Sequence, residues 1–386
     1  MKIIFICGSL EPGKDGVGDY TRRLSGELIR QGHLIKIIAI NDYHTQESLE
    51  SIQDVDAISI NVLRLSGKES SKNRFNNAFQ FIDQFNPEWI SLQYVPYSFQ
   101  DKGLPWRLGY QLSKLGKGKK WHIMFHELWV ETTDGNSRIL SYLQRLILLK
   151  LALKLHPLLK HTSLPVYKAR LREVGIKSKK LPIFSNLSET SFCGYGNNRF
   201  ITIAFFSQFT PRDSVNKFIE QLTQGILREG LDFRIIFIGG NEHSTKLFKS
   251  EFSSISGLQN KIQITGFLDE NKLSEVIGNC DLGITPVPRH VIGKSGSVAA
   301  FLSYGIPVAA PYVKPGFESL GIGFFNQSIC EAILTSPDLK DFKISAEAAK
   351  VIPEKLNISS IANKFILDLA KKSQGENSKT ISFPRI

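Results

Sequence analysis

DLGITPVPRHVIGKSGSVAAFLSYGIPVAAP, residues Asp281 to Pro311, holds three signals in one short run. Leu282 and Ile284 mark an apolar strand. Gly293-Lys294-Ser295-Gly296-Ser297 form a turn of small residues around one lysine, and Val298 to Tyr304 read as a small-residue helix. A Gly-Ile-Pro-Val strand start follows at Gly305–Val308. A strand that turns through glycines into a helix aims backbone N–H groups and the positive end of the helix dipole at one spot, which suits an anion and above all a phosphate. A second such turn follows the first strand, where KIIFICGSL runs into EPGKDGVGDYTRRLSGELIRQGH. Two turns of this kind, one in each half, predict two nucleotide-fold lobes facing one another across a cleft.

The rest of the chain extends the same alternation. Apolar strands are predicted at Lys2–Cys7, Leu34–Ile40, Trp89–Gln93 and His122–Phe125, and helices at Asp19–Gln31, Asn73–Gln84 and Leu104–Lys114. The second half restarts with strands at Phe200–Phe209 and Phe233–Gly240 around a helix at Asp213–Glu229. It continues with IQITGFL, a helix over Glu270–Asn279 and a strand over Leu282–Thr285. Such alternation means βαβ units and doubly wound parallel sheets. The expected division is an N-terminal domain over 1–185, a turn-rich hinge over 186–198 and a second domain over 199–356. A C-terminal helix over 357–374 packs back toward the first domain, and a polar tail occupies 375–386.

Composition agrees with two packed cores. A length of 386 residues suits two domains better than one, and 42% apolar residues suffice for both. Four scattered cysteines (Cys7, Cys193, Cys280, Cys330) make neither a disulfide framework nor a metal site, and imply a reduced, cytoplasmic setting. The opening strand is too short for a secretory signal, and no apolar run reaches the roughly 20 residues of a membrane span.

The net charge of +12 is concentrated. Arg138 to Lys180 hold eleven Lys and Arg residues against the single acid Glu173. Within that segment RILSYLQRLILLKLALKLH sets Arg145, Lys150 and Lys154 among leucines at helical spacing, the pattern of a helix lying on an anionic membrane surface. A helix buried on one side with solvated lysines on the other would read the same. No aromatic-interleaved basic strand and no zinc spacing accompanies the charge, so nucleic acid is not an expected partner.

The ordered set of segments resembles the GT-B glycosyltransferases, and specifically the retaining glycosyltransferase family 4. The pieces are GVGDYTRRLSGELIRQGH, SLQYVP, MFHEL and LPIFSNL in the first half. In the second they are FRIIFIGG, IQITGFLDENKLSEVIGNCDLGITP and the segment ending YGIPVAAP. The resemblance implies a nucleotide-diphosphate sugar held mainly by the second domain and a glycan, lipid-linked or small-molecule acceptor held mainly by the first. It implies transfer to a hydroxyl with retained anomeric configuration. Catalysis then rests on cations and backbone donors around the departing diphosphate. No cofactor or metal is expected, and no Asp-x-Asp run is present to hold one.

The resemblance also assigns residues. His126 falls where the family has a histidine reaching the donor sugar or leaving phosphate, and acts as a hydrogen-bond donor. Gly16 and Gly18 match a loop approaching the acceptor and phosphates through backbone. Asp19 reads as the N-cap of the following helix, and as the base if the reaction inverts. Asp19, Tyr20 and Glu127 are the acceptor-side candidates, and Phe267 and Leu268 lie where the family contacts the nucleotide base. Two departures stand out. Aligned on Tyr304–Val308, the family's two glutamates fall at Ile292 and Ala300, and its diphosphate-gripping Arg and Lys fall at Gln208 and Asp213. The phosphates are therefore expected on Lys294, the backbone and hydroxyls of Gly293, Ser295, Gly296 and Ser297, and either Arg212 or Arg289. Glu318 is a candidate replacement for a missing carboxylate. The alternative reading is a GT-B-fold protein without transferase activity, serving as a binding or scaffold subunit. A 2-epimerase would want a denser set of acids and histidines in the cleft than the sequence shows.

Overall fold

A computed structural model describes residues 1–131, 135–185, 187, 200–207, 209–253 and 258–377. The expected hinge, apart from residue 187, lies outside the described residues, as do Gln208 and the tail from 378 onward. The chain divides into two compact units. One comprises Met1–Ser163, Tyr167–Leu181 and the chain from Ile361 onward; the other comprises Leu164–Val166 and Pro182–Ser360.

The first unit is built on eight strands: β1 (Lys2–Cys7), β2 (Leu34–Asp42), β3 (Leu49–Val55), β4 (Ile58–Ser66), β5 (Trp89–Tyr94), β6 (Lys120–Phe125), β7 (Leu159–Thr162) and β8 (Lys179–Lys180). They lie in the order β3-β4-β2-β1-β5-β6-β7-β8, all pairs parallel except β3 with β4. Ile3, Ile4, Phe5 and Ile6 are all fully buried, because helices cover both faces of a parallel sheet. The helix Gly16–Arg30 turns Tyr20, Leu24 and Leu28 inward, four residues apart. Its chain leaves at Gly32, where φ is +84°.

The β3–β4 hairpin is absent from the sequence reading. Its two-residue turn is Asp56-Ala57, both at positive φ (49° and 62°), the primed geometry that Asn-Gly or Asp-Gly would announce. An alanine there gives no signal. The polar pattern of LESIQDV, an edge strand, adds little.

The second unit holds β9 (Phe200–Phe206), β10 (Asp232–Ile238), β11 (Ile262–Gly266), β12 (Leu282–Ile284), β13 (Val308–Ala309) and β14 (Ile333–Leu334), in the order β11-β10-β9-β12-β13-β14 and all parallel. Alternate residues of β9 serve different cores. Ile203 and Phe205 join the helix Asp213–Arg228 and Phe248 and Phe252, whereas Ala204 joins the core of the helix Gly296–Ser303. Phe237 and Phe248 stack with centroids 4.9 Å apart. Strand order reverses between β9 and β12, and in open sheets ligands bind outside the carboxyl ends of the strands at that reversal.

The helix Ile358–Asn377 returns to the first unit, with Ile361, Ala362, Phe365 and Leu369 buried. Phe365 lies 5.8 Å from Phe5 and 5.1 Å from the ring of His122.

Candidate functional site

In the first unit the candidates gather beyond the carboxyl ends of β1, β5 and β6. His126 follows β6; its backbone N–H donates to Tyr94 O (3.1 Å), and its ring stands edge-on to Tyr20 at 5.0 Å. Both side chains are buried. His126 Nε2 lies 2.9 Å from Gln93 Oε1, Gln93 Nε2 lies 2.8 Å from Ser91 Oγ, and Ser91 Oγ lies 2.8 Å from His122 Nδ1. The run continues from His122 Nε2 to His161 Nδ1 (3.1 Å) and from His161 Nε2 to Asp368 Oδ2 (3.1 Å).

The direction of these bonds follows from their far end. Burial works against the charge of Asp368, but hydrogen bonds from His161, Lys179 and Lys364 hold its carboxyl well below the usual range. A carboxylate only accepts, so His161 carries its proton on Nε2. Burial keeps His161 neutral against the pull of Asp368, so its Nδ1 accepts from His122 Nε2–H. Burial, reinforced by the two neighbouring histidines, keeps His122 neutral too, and its Nδ1 accepts from the Ser91 hydroxyl. Ser91 must then accept from the Gln93 amide nitrogen, which turns Gln93 Oε1 toward His126. His126 therefore donates through Nε2–H, and burial brings its pKa down to about 3. The sequence casts His126 as a donor to the substrate. The structure commits that donor to Gln93 and leaves Nδ1 as an acceptor, suited to a hydroxyl and not to a phosphate oxygen.

The turn before the helix Gly16–Arg30 also departs from expectation. Its N-cap is Asp15, whose Oδ1 accepts from Val17 N (2.8 Å) and Gly18 N (2.9 Å), so these donors are already taken. Asp19 lies in the first turn, where it accepts from Gly13 N (3.1 Å) and pairs with Arg22. Gly18 is held by packing: a Cβ there would sit 2.6 Å from Ser9 O, whereas one at Gly16 would meet open space. Glu127 is half-buried beside His126.

In the second unit the segment after β12 begins with a 3₁₀ turn, Arg289–Lys294, and passes through Ser295 into the helix Gly296–Ser303. Ser295 caps that helix, its Oγ lying 3.4 Å from Val298 N and 3.0 Å from Ser297 Oγ. Gly296 is exposed, and Lys294 and Ser297 are half-buried. Gly293 is required by packing. It presses on Gly323, and a Cβ would stand 2.1 Å from Gly323 O. Ile292 and Ala300, the positions of the family's glutamates, are buried in one apolar core with Val298 and Phe301.

Arg212 and Arg289 both meet Tyr312, a residue the sequence does not single out, the first through its guanidinium and the second through its backbone N–H. The Arg212 guanidinium lies 4.4 Å over the Tyr312 ring, with Nε lacking a hydrogen-bond partner among the described residues. Arg289 N–H donates to Tyr312 O (2.9 Å), and Arg289 Nε donates to Ala310 O (3.0 Å). Burial lowers the pKa of Arg289. Neither arginine has a carboxylate partner among the described residues. Phe267, after β11, is 93% exposed, and Leu268 packs on the core beneath it. Glu318 is exposed and accepts from Gly316 N (3.0 Å). Among the described residues no three His, Cys, Asp or Glu side chains converge as a metal site.

Residues 201–330 match the model of the family described as glycosyl transferases group 1. No curated protein matches the chain in sequence. HepE of Anabaena, solved in complex with UDP-glucose, superposes with a TM-score of 0.59 at 14% identity, covering 96% of this chain and 100% of that one. An α,α-trehalose-phosphate synthase (UDP-forming) from Burkholderia xenovorans, in complex with glucose-6-phosphate, gives 0.60 at 9% identity over 96% and 100%. A putative UDP-N-acetylglucosamine 2-epimerase from Listeria monocytogenes gives 0.53 at 11% identity over 95% and 94%. At such identities the likeness is one of fold. The chain has the paired Rossmann-like fold of the GT-B glycosyltransferases, and its second unit carries the sequence pattern of glycosyl transferases group 1.

Proposed function

We propose that this protein transfers a sugar from a nucleotide-diphosphate sugar to an acceptor hydroxyl, with retention, in the synthesis of a glycan, lipid-linked saccharide or glycosylated metabolite. The observation that carries this reading is a pair of arginines at the carboxyl ends of the strands flanking the order reversal, in the unit with the glycosyl transferases group 1 pattern: Arg212 stacked on Tyr312, and Arg289 held by the backbone oxygens of Ala310 and Thr335. Two guanidinium groups without carboxylate partners suit a departing diphosphate. Lys294, the exposed Gly296 backbone and Ser297 add donors beside it, and the exposed ring of Phe267 offers a stacking face for the base. His126 Nδ1 accepts from a sugar hydroxyl. Asp19, the base an inverting enzyme would use, is occupied by Arg22 and Gly13 N–H, which favours retention.

HepE holds UDP-glucose and the trehalose-phosphate synthase forms UDP, so uridine is the first base to test. Melting temperatures with UDP, GDP, ADP and dTDP, each with and without magnesium, read the site by mass action. One nucleotide should raise the midpoint, and Arg212→Gln and Lys294→Ala should abolish the rise. No rise with any of them would point instead to the binding or scaffold reading, which the apolar burial of Ile292 and Ala300 favours.

The proposed place of work is the inner face of a membrane, reached peripherally. On the helix Gly135–Leu155 the residues Ile139, Tyr142, Leu146 and Leu153 are exposed on one stripe with Arg138, Arg145, Lys150 and Lys154. Exposed apolar groups interleaved with cations suit an anionic lipid surface. No helix among the described residues is long and apolar enough to cross a membrane. Sedimentation with phosphatidylglycerol vesicles, but not with phosphatidylcholine ones, is the expected result. Leu153→Glu with Lys150→Glu should abolish it.

A further inference from the structure

We infer that the first unit carries a built pocket for an anionic sugar, a hexose bearing a phosphate or a carboxylate. The inference rests on the transferase reading in treating that ligand as the acceptor or its terminal residue. A cavity of about 520 Å³ opens at the carboxyl end of β2, against the first turn of the helix Ser71–Phe85 and the segment 99–111. It lies within one unit and apart from His126 and the turn before Gly16, neither of which lines it. Its volume falls within the range of small-molecule sites and leaves room for a monosaccharide with its charged substituent.

The lining has one sign of charge. Lys72, Arg74 and Arg107 contribute three cations, and no carboxylate lines the cavity. None of the three has a carboxylate partner among the described residues. Arg74 is the anchor. It is half-buried, its Nη1 donates to Ile40 O (2.8 Å) and also bonds Asn41 Oδ1, and its Nε has no partner among the described residues. A guanidinium held by neutral oxygens keeps its charge for an incoming anion; burial lowers its pKa, against the opposing pull of Tyr43 and Glu69. The N-terminal end of a fifteen-residue helix adds its dipole from the same side.

Three aromatic rings share the rest of the wall with aliphatic and neutral polar residues. Phe75, Phe99 and Trp106 line the cavity, and Trp106 is the tryptophan exposed to solvent, Trp89, Trp121 and Trp129 being buried. A ring face beside a charged corner is how a protein holds the C–H face of a sugar while its anion is paired. The wall is preformed: Gln100 Oε1 accepts from Lys102 N and Leu104 N (2.9 Å each), and Gln111 Nε2 donates to Ser71 Oγ at 2.6 Å.

The test is titration calorimetry on the intact protein with glucose 6-phosphate, glucuronate, glucose and inorganic phosphate, alongside iodide quenching of tryptophan fluorescence. The phosphorylated or the carboxylated sugar should bind at least tenfold tighter than both glucose and phosphate, and should shield Trp106 from iodide. Which of the two sugars wins identifies the anion. Trp106→Ala and the double variant Lys72→Gln, Arg107→Gln alter exposed side chains and leave the fold intact. Each should weaken binding about tenfold, and Arg74→Gln should weaken it more. Equal binding of phosphate and sugar phosphate would reduce the pocket to a bare anion site and overturn the inference. Binding of no anionic sugar, or binding that ignores all three changes, would overturn it as well. Nucleotide stabilisation is read separately. A protein that responds to UDP but to no anionic sugar loses only this inference, and one that binds an anionic sugar but no nucleotide loses only the transferase reading.

Discussion

His161 Nε2 lies 3.1 Å from Asp368 Oδ2, joining a strand of the first sheet to a helix 207 residues further along the chain. That one contact sets the direction of five successive hydrogen bonds ending on His126, because a carboxylate can only accept and each buried neutral histidine must donate from one nitrogen and accept at the other. The C-terminal helix thereby sets the tautomer of a residue with which it shares no hydrogen bond among the described residues.

Asp368→Ala removes the origin of that direction. Nitrogen chemical shifts of the His126 ring should show a protonated Nε2 and a bare Nδ1 in the native protein, and a tautomeric mixture in the variant. The variant should also lose about 2–3 kcal/mol of stability, since a buried donor is left unsatisfied. An unchanged His126 ring would mean that the chain of bonds does not set its tautomer.

Acid should weaken the first unit well before its carboxylates titrate. Burial lowers the pKa values of His122, His126 and His161. A histidine lowered on folding stabilises the fold fully above its unfolded value of about 6.5 and loses that contribution as pH falls from there toward its folded value, at no more than about 1.4 kcal/mol per pH unit for each group. Asp368 is lowered instead and acts in another window, its contribution fading only below about pH 3.9. Urea midpoints should therefore drop steeply between pH 7 and 5, and a flat profile there would contradict the neutral, buried assignment.

Restoring the family's glutamates should harm this protein. Ile292 and Ala300 sit in an apolar core with Val298 and Phe301, so Ile292→Glu or Ala300→Glu buries a carboxyl without a partner. We expect a loss of about 3 kcal/mol or more, and no gain in nucleotide affinity. A folded variant that binds nucleotide more tightly would show that these positions reach the ligand.

Paired glycine substitutions separate packing from binding. Gly293→Ala and Gly18→Ala drive a Cβ to 2.1 Å and 2.6 Å from backbone oxygens and should cost about 1–3 kcal/mol. Gly296→Ala and Gly16→Ala meet open space and should leave the melting temperature within a degree or two. If Gly296→Ala nevertheless weakens nucleotide stabilisation, the backbone at that helix start contacts the ligand.

Phe267→Ala checks the base-stacking face. The ring is almost wholly exposed, so its loss should not affect folding, but nucleotide affinity should fall by about 1–3 kcal/mol. Equal affinity would leave the exposed ring without a part in binding.

The strands that were legible are those whose burial shows in the chain itself. KIIFIC and FITIAFF are continuous apolar runs because both faces of each sheet are covered, and the helix Asp213–Arg228 shows its buried residues at three- and four-residue spacing. The β3–β4 hairpin was not legible, since Asp56-Ala57 is no turn signature. The helix cap was misplaced by four residues because Asp15 and Asp19 are equally good caps by type, and only the hydrogen bonds to Val17 and Gly18 distinguish them. Lys294 and Arg212 stood out as isolated cations, whereas Tyr312, beneath Arg212, had no sequence signal at all.

Local chemistry alone was enough for the alternation of strands and helices, for the two-unit organisation it implies and for the glycine turns, because period and turn propensity act over a few residues. Which glycines pack and which stand open, and whether Ile292 and Ala300 face core or ligand, depended on segments distant in sequence. So did the nitrogen of His126 that bears a proton, since Ser91, Gln93, His122, His161 and Asp368 form one directed chain only when three strands and the last helix lie side by side. A hydrogen bond has a donor end and an acceptor end. That polarity passes from residue to residue through space, which no local pattern in the chain records.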